Sequence, residues 1–215
     1  MKLLAIDTST DYLSLAIING DKVSAKFHKK AEREHSRLLV PMIDRLLKKT
    51  KTKLKDIDGF CVSIGPGSFT GLRIGVTVVK GLGYSLKKPI VAVPTLDAIA
   101  QNAKGFCGII CPVLDAKKNK VYACLYRSDT KRIKRISKYL LLPMEGLMDR
   151  VKRLKGKIFF LGDMDGLTRK NIDWHPKAEV VAKLGFENFK KKRFVNPEDL
   201  EPLYLYSREC DITGR

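Results

Sequence analysis

An α/β fold in two related lobes is what this chain predicts, on three observations. From the N-terminus to about residue 103, short apolar runs of strand length alternate with stretches whose apolar residues recur at helical spacing. The pattern of apolar strand, aspartate, polar turn and second strand at Leu4-Ala5-Ile6-Asp7 returns at Pro112-Val113-Leu114-Asp115. Between them the run Ser63-Ile64-Gly65-Pro66-Gly67-Ser68-Phe69-Thr70-Gly71-Leu72-Arg73-Ile74-Gly75 joins a strand to a helix through a glycine-rich loop.

In order, residues 3–7 form a strand ending in Asp7-Thr8-Ser9-Thr10-Asp11, and residues 13–18 return beside it. Hydroxyls and carboxylates therefore gather at one hairpin tip, which is also what a capped polar turn looks like. Gly20-Asp21 turns the chain into a third strand over 22–28. Ser36 can cap a helix running to about residue 49, with Leu38, Leu39, Met42, Ile43, Leu46 and Leu47 on one stripe and Pro41 in its early turns. A strand over 60–64 enters the glycine loop, and a helix over 72–86 leaves it. Lys87-Lys88-Pro89 turns into a strand over 90–93, and Thr95 is placed to cap a helix reaching about residue 103. Gly105 to Gly108 marks the boundary, giving lobes of residues 1–105 and 106–215, with the last residues of the second expected to pack back on the first. The second lobe reads as strand 109–114, turn 117–120, strand 121–127, helix 144–154 and strand 157–161 ending in Gly162-Asp163. Glu179-Val180-Val181 reads as a further short strand, and Phe186 and Phe189 as a cluster under a loop. Pro202-Leu203-Tyr204-Leu205-Tyr206 is the last segment with a structural signal.

The glycine loop has two readings. Gly65, Gly67 and Ser68 before a helix N-terminus gather N–H groups that can hold an anion, or they form a tight strand-to-helix turn. The phosphate-loop ending Gly-Lys-Ser/Thr is absent, since Leu72-Arg73 follows Gly71. On the helix after it only Arg73, Thr77 and Lys80 make a polar stripe, so the helix must be covered on two sides. Gly75 and Gly81 flatten it for a close neighbour, which is either its own domain or a partner.

Composition bounds the rest. Hydrophobic content of 44% over 215 residues supports a proper core, and no apolar run is long enough to span a membrane. The opening residues are too short and too soon interrupted by Asp7 for a signal peptide. Five cysteines without a Cys-x-x-Cys pair, with Cys61, Cys111 and Cys124 in apolar runs, fit reduced thiols in a cytosolic protein. A helical metal pair on His35 fails because Ala31 and Leu39 stand four residues away. The net charge of +19 points to an anionic partner, nucleic acid first, or to a Lys-rich proteome with solvated faces. The lysines are spread over several elements without an RNA-stacking aromatic motif.

Several of these pieces together resemble the TsaB family (older name YeaZ). They are Ile6-Asp7-Thr8-Ser9, His35-Ser36 with Leu39 and Pro41, the run from Gly65 to Gly75, Lys80-Gly81, Pro94-Thr95-Leu96, Asp115-Ala116 with Val121-Tyr122, Gly162-Asp163 and Pro202-Leu203-Tyr204. The resemblance spans nearly the whole chain and implies an actin-like ATPase (ribonuclease H-like) fold with duplicated lobes. It implies a non-catalytic subunit that pairs with the TsaD transferase, with TsaE joining as an ATPase, to make threonylcarbamoyladenosine beside the tRNA anticodon. tRNA is then met indirectly, through the complex, and the chain pairs with itself when TsaD is absent. TsaD carries a metal-binding His-x-x-x-His, and this chain does not. The family contact uses the first two helices of the first lobe, which here offer Leu39, Met42, Ile43, Leu46, Leu72, Gly75, Val76, Val79 and Leu82. A vestigial nucleotide or phosphate site would use Asp7, Thr8, Ser9, Gly65, Gly67, Ser68, Asp115 and Gly162, with at most weak ATP or ADP binding, no resident cofactor and no metal. The family tail often reads Pro-x-Tyr-Leu-Arg, and Tyr206 takes the last place here. The competing class is an enzyme: an actin-like-fold ATPase or kinase with Asp7 and Asp115 around magnesium, or a metalloprotease-like homologue.

Overall fold

The computed structural model describes residues 1–164, 166–168 and 172–206. The chain divides into two units: Met1–Ile99 with His175–Pro202, and Ala100–Trp174 with residues 203–206. The boundary expected at residue 105 thus falls a few residues earlier, and a long segment assigned to the second lobe belongs to the first. Residues 207–215, including Cys210, lie outside the described residues. Among the described residues no helix is long and apolar enough to cross a membrane.

In the first unit β1 (Lys2–Asp7), β2 (Tyr12–Asn19) and β3 (Lys22–Lys30) form an antiparallel meander. Helix α1 (His35–Lys49) leads to β4 (Gly59–Gly65), which pairs parallel with β1. Helix α2 (Phe69–Leu86) leads to β5 (Ile90–Pro94), parallel to β4, and then to the short α3 (Thr95–Ala100). The sheet order β3-β2-β1-β4-β5 is that of a ribonuclease H-like lobe, as expected. The helices start earlier than the pattern suggests. Ser36 lies inside α1, whose N-cap Glu34 makes no side-chain cap, and α2 begins three residues before Leu72, where Ser68 Oγ accepts from Gly71 N at 3.2 Å.

Both faces of this sheet are buried, so β1 and β4 read as near-continuous apolar runs. Large residues face α1 and α2: Leu4, Ile6, Leu13, Leu15, Phe60 and Val62. The opposite face carries Leu3 with the smaller Ala5, Ala16 and Cys61. Against it packs α5 (Ala178–Lys190), where a strand was expected at Glu179-Val180-Val181. Ala178, Val181, Ala182 and Gly185 recur at helical spacing on its buried face, and a Cβ on Gly185 would sit 2.2 Å from Cys61 Sγ. Phe186 and Phe189 therefore belong to a helix on the sheet and not to a loop cluster.

The second unit repeats the scheme in shorter form. β6 (Cys107–Asp115) pairs antiparallel with β7 (Lys120–Ala123) and with β8 (Tyr126–Asp129). The 121–127 strand is thus real but interrupted at Cys124-Leu125, opposite Pro112, which has no N–H to give the ladder. β9 (Ile133–Arg135) pairs with β8 and β10 (Leu140–Pro143) with β7, a third ribbon that the sequence reading missed. Helix α4 (Met144–Lys152) leads to β11 (Ile158–Gly162), parallel to β6. Strand, returning strand, third strand, helix and parallel fourth strand match β1–β4, so the lobes are duplicated. Leu147 and Val151 of α4 cover Ile109, Cys111, Val113, Val121 and Ala123.

Candidate functional site

Two places in the first unit gather the predicted site residues: the hairpin tip with the glycine loop, and the helix pair α1–α2. At the tip, Asp7 is fully buried. Its Oδ1 accepts from Ser9 N at 3.1 Å, and Ser9 Oγ donates to the same carboxylate at 3.0 Å. Burial pushes the carboxyl up to about 6, opposed by the neighbouring Ser63 hydroxyl and by Ser9. Ser63, at the end of β4, is a member of this site that the sequence reading did not single out.

The glycine loop closes on the tip. Ser68 N donates to Ser9 O at 2.7 Å, and Thr8 Oγ1 donates to Gly71 O at 2.7 Å. A Cβ on Gly67 would lie 2.2 Å from Ser9 O, one on Gly71 2.1 Å from Thr8 O, and one on Gly75 2.3 Å from Thr8 Oγ1. Three glycines spaced by four thus bring the loop and the first turns of α2 into backbone contact with β1–β2. Of the two readings of the loop, the close turn is what these contacts describe: the cradle is filled by Thr8 and Ser9. Gly65 N donates to Thr95 Oγ1 at 3.1 Å, so Thr95 secures the loop and does not serve as a plain helix cap.

Asp115 and Gly162 lie together in the second unit. Asp115 N donates to Asp163 Oδ1 at 2.8 Å, and Asp115 Oδ1 accepts from Lys117 N at 2.7 Å, the same two-residue turn that Asp7 makes with Ser9. The hydrogen bond from Lys117 Nζ holds the Asp115 carboxyl below its ordinary range, while burial raises that of Asp163. Gly162 has φ +147°, and a Cβ there would strike the backbone of Val113. A hollow of about 750 Å³ beside this turn is lined by Asp115, Lys117, Lys120, Glu145 and Asp163. Tyr206 Oη donates to Ala116 O at 2.8 Å, which ties the end of the described chain to this turn.

The helix pair requires a correction. Leu39, Ile43, Leu46, Leu72, Gly75, Val76 and Val79 are buried within their own unit. They are the inward stripe, and Gly75 meets Thr8. Of the nine expected interface residues only Met42 and Leu82 are half-exposed, and Ile43 and Leu82 border the outer hollow. The outward side is made of residues one step round each helix. Val40 is 56% exposed, Phe69 50% and Tyr84 69%, with Ile74 and Val78 half-buried between them. A Cβ on Gly81 meets nothing within 4 Å. Val40, Ile43, Leu47, Leu54, Val78 and Leu82 line an apolar hollow of about 540 Å³, with Lys48, Lys51 and Lys53 at its rim. Among the described residues no group of three His, Cys, Asp or Glu side chains is placed to hold a metal ion.

Residues 23–159 match the family model of TsaD, the tRNA N6-adenosine threonylcarbamoyltransferase. The chain is similar over its whole length to the tRNA threonylcarbamoyladenosine biosynthesis protein TsaB of Bacillus subtilis, at 30% identity and 91% of that protein. It is 32% identical to the TsaB protein of Escherichia coli, covering 95% of this chain and 94% of that one. The solved YeaZ structure from Pseudomonas aeruginosa superposes with a TM-score of 0.79 at 26% identity, over 95% of this chain and 99% of that one. With likeness of this extent on a duplicated actin-like fold, the chain belongs to the TsaB family.

Proposed function

We propose that this chain is the non-catalytic partner of a TsaD-type transferase, supporting formation of threonylcarbamoyladenosine next to the tRNA anticodon. The observation that carries the docking is the outer side of α1 and α2, where Val40, Val78 and Leu82 line an apolar hollow that the unit's own core leaves open. Gly81 lets a partner helix approach closely. The same face serves a two-fold homodimer when TsaD is absent, and TsaE joins the assembly through the TsaD-bound state, in the cytoplasm. The lack of a His-x-x-x-His motif supports the non-catalytic role. The proposal assigns the chain no resident cofactor and at most weak ATP or ADP binding, because the glycines suited to cradling phosphate already cradle Thr8 and Ser9.

Gly81→Arg and Val78→Asp test the docking, since both act on the outer face. Gly75→Arg is unsuitable because it strikes Thr8 inside the unit. Size-exclusion chromatography with the cognate TsaD should show that both outer-face variants, folded by circular dichroism, no longer co-elute. Wild-type co-elution of folded Gly81→Arg would show that the partner binds elsewhere.

A further inference from the structure

Within the second unit the β8–β9 hairpin concentrates cations in a way that folding does not require. Arg127 on β8 stands directly opposite Lys134 on β9 in the ladder, and both are exposed. Neither is ion-paired with a described residue, and like charges facing each other across strands destabilise a hairpin. Lys131 and Arg132 project at the turn. The one carboxylate of the ribbon, Asp129, is used to hold that turn, accepting from Lys131 N at 3.1 Å and Arg132 N at 2.7 Å. Arg135 lies 4.4 Å over the ring of Tyr139, and Ile136 beyond it is 41% exposed. Protection of a sheet edge explains a lysine on β9, but Arg127 sits on the inner strand. A Lys-rich surface explains scattered lysines, but not an arginine and a lysine held opposite each other with no acid between them.

We infer that this hairpin grips the sugar-phosphate backbone of RNA directly. The inference rests on the reading of the chain as part of a tRNA-modifying assembly, and gives the chain a contact of its own where that reading needs only the partner's. Cations on a two-stranded ribbon neutralise phosphates and fix the position of the RNA without reading bases, while the stacked Arg135–Tyr139 pair and Ile136 add a flat apolar margin. Binding is therefore independent of sequence and steep in salt.

The test is fluorescence anisotropy of labelled bulk tRNA with the full chain over a range of salt concentrations. Arg127→Gln/Lys134→Gln is compared with Lys29→Gln/Lys55→Gln, two exposed lysines of the first unit that remove the same charge. The hairpin pair should lose about tenfold in affinity at low salt, and its log–log salt slope should fall by about 1–2, since each phosphate contact contributes roughly 0.7–0.9. The control pair should stay within twofold, and Arg127→Lys/Lys134→Arg should bind like wild type. Equal losses in both glutamine pairs, or none in either, would overturn the inference, as would hairpin-dependent binding to phosphatidylglycerol vesicles without binding to tRNA. Co-elution with TsaD is measured on the same samples. Intact co-elution with unchanged RNA binding in the hairpin pair sinks this inference alone. Wild type that binds tRNA through the hairpin but never co-elutes with TsaD sinks the partner reading instead.

Discussion

Gly71→Ala and Gly81→Ala make the same chemical change on the same helix and should move stability in opposite directions. At Gly81 the added methyl meets nothing within 4 Å, so only helix propensity acts, and alanine gains up to about 1 kcal/mol. At Gly71 the methyl would lie 2.1 Å from Thr8 O, a backbone atom at the end of β1 that cannot rotate away. Either α2 or the hairpin must move by about 1 Å to reach an ordinary contact, and such overpacking costs about 1–3 kcal/mol. The same movement stretches the 2.7 Å bond from Thr8 Oγ1 to Gly71 O, worth about 1 kcal/mol more. After allowing for the propensity gain, Gly71→Ala should be less stable than wild type by about 2 kcal/mol, and about 3 kcal/mol below Gly81→Ala. Urea unfolding followed by far-ultraviolet circular dichroism measures this as a shift of midpoint at constant slope. Equal midpoints for the two variants would refute the account of the loop as a backbone-to-backbone contact.

Asp7 makes stability depend on pH. Its folded pKa of about 6 exceeds the reference value of 3.8, so the native state holds a proton that the unfolded chain releases between those values. The stabilisation is complete below about pH 4 and is lost as pH rises through about 6, a change of about 3 kcal/mol. Asp7→Asn should flatten the urea midpoint between pH 4.5 and 7, and an undiminished slope would assign the dependence to another group. Ser14→Ala removes the buried oxygen that accepts from Ala178 N at 2.8 Å, so the first turn of α5 should lose about 1–3 kcal/mol of local stability, read by faster amide exchange there. Burial pushes the thiols of Cys61 and Cys111 up to about 12, whereas Cys107 is exposed. Brief iodoacetamide treatment of the native protein should label Cys107 and spare the other two, as peptide mapping will show.

The strands and helices of the first half were legible because their periods are clean and Gly and Pro punctuate them. Helix α5 was not, because Glu179-Val180-Val181 has the β-branched content of a strand. Its helical face is built of Ala178, Ala182 and Gly185, small residues whose purpose appears only against the small-residue face of the sheet. β9 was missed because a stretch as charged as Lys131 to Lys138 carries little apolar alternation, and β10 because Leu140-Leu141-Leu142 is an apolar run too short to be told from the start of the helix that follows it. The structure brings Asp7, Thr8 and Ser9 of the hairpin tip together with Gly67 and Ser68 of the loop, while Asp115 and Gly162 lie in the second unit, and neither relation was legible in the sequence. Local sequence tells that Gly67 and Gly71 permit close approach, but not that Ser9 and Thr8, some sixty residues earlier, are what approaches. The helix pair failed for a geometric reason: α2 has two apolar stripes, and periodicity alone does not say which one meets the sheet.

The discontinuity of the first unit has a consequence for how the chain is made. Its sheet is complete once β5 leaves the ribosome, but the face formed by Leu3, Ala5, Ala16, Ile18 and Cys61 is met only by Ala98 of α3 until α5 follows. The roughly ninety intervening residues take about 5–18 s to synthesise at about 5–20 residues per second. During that interval Ala100–Trp174 of the second unit is translated, while the older unit waits with that apolar face open to solvent. Translation halted before residue 178 therefore yields a nascent chain recognised by what it bares at its beginning and not by what it lacks at its end.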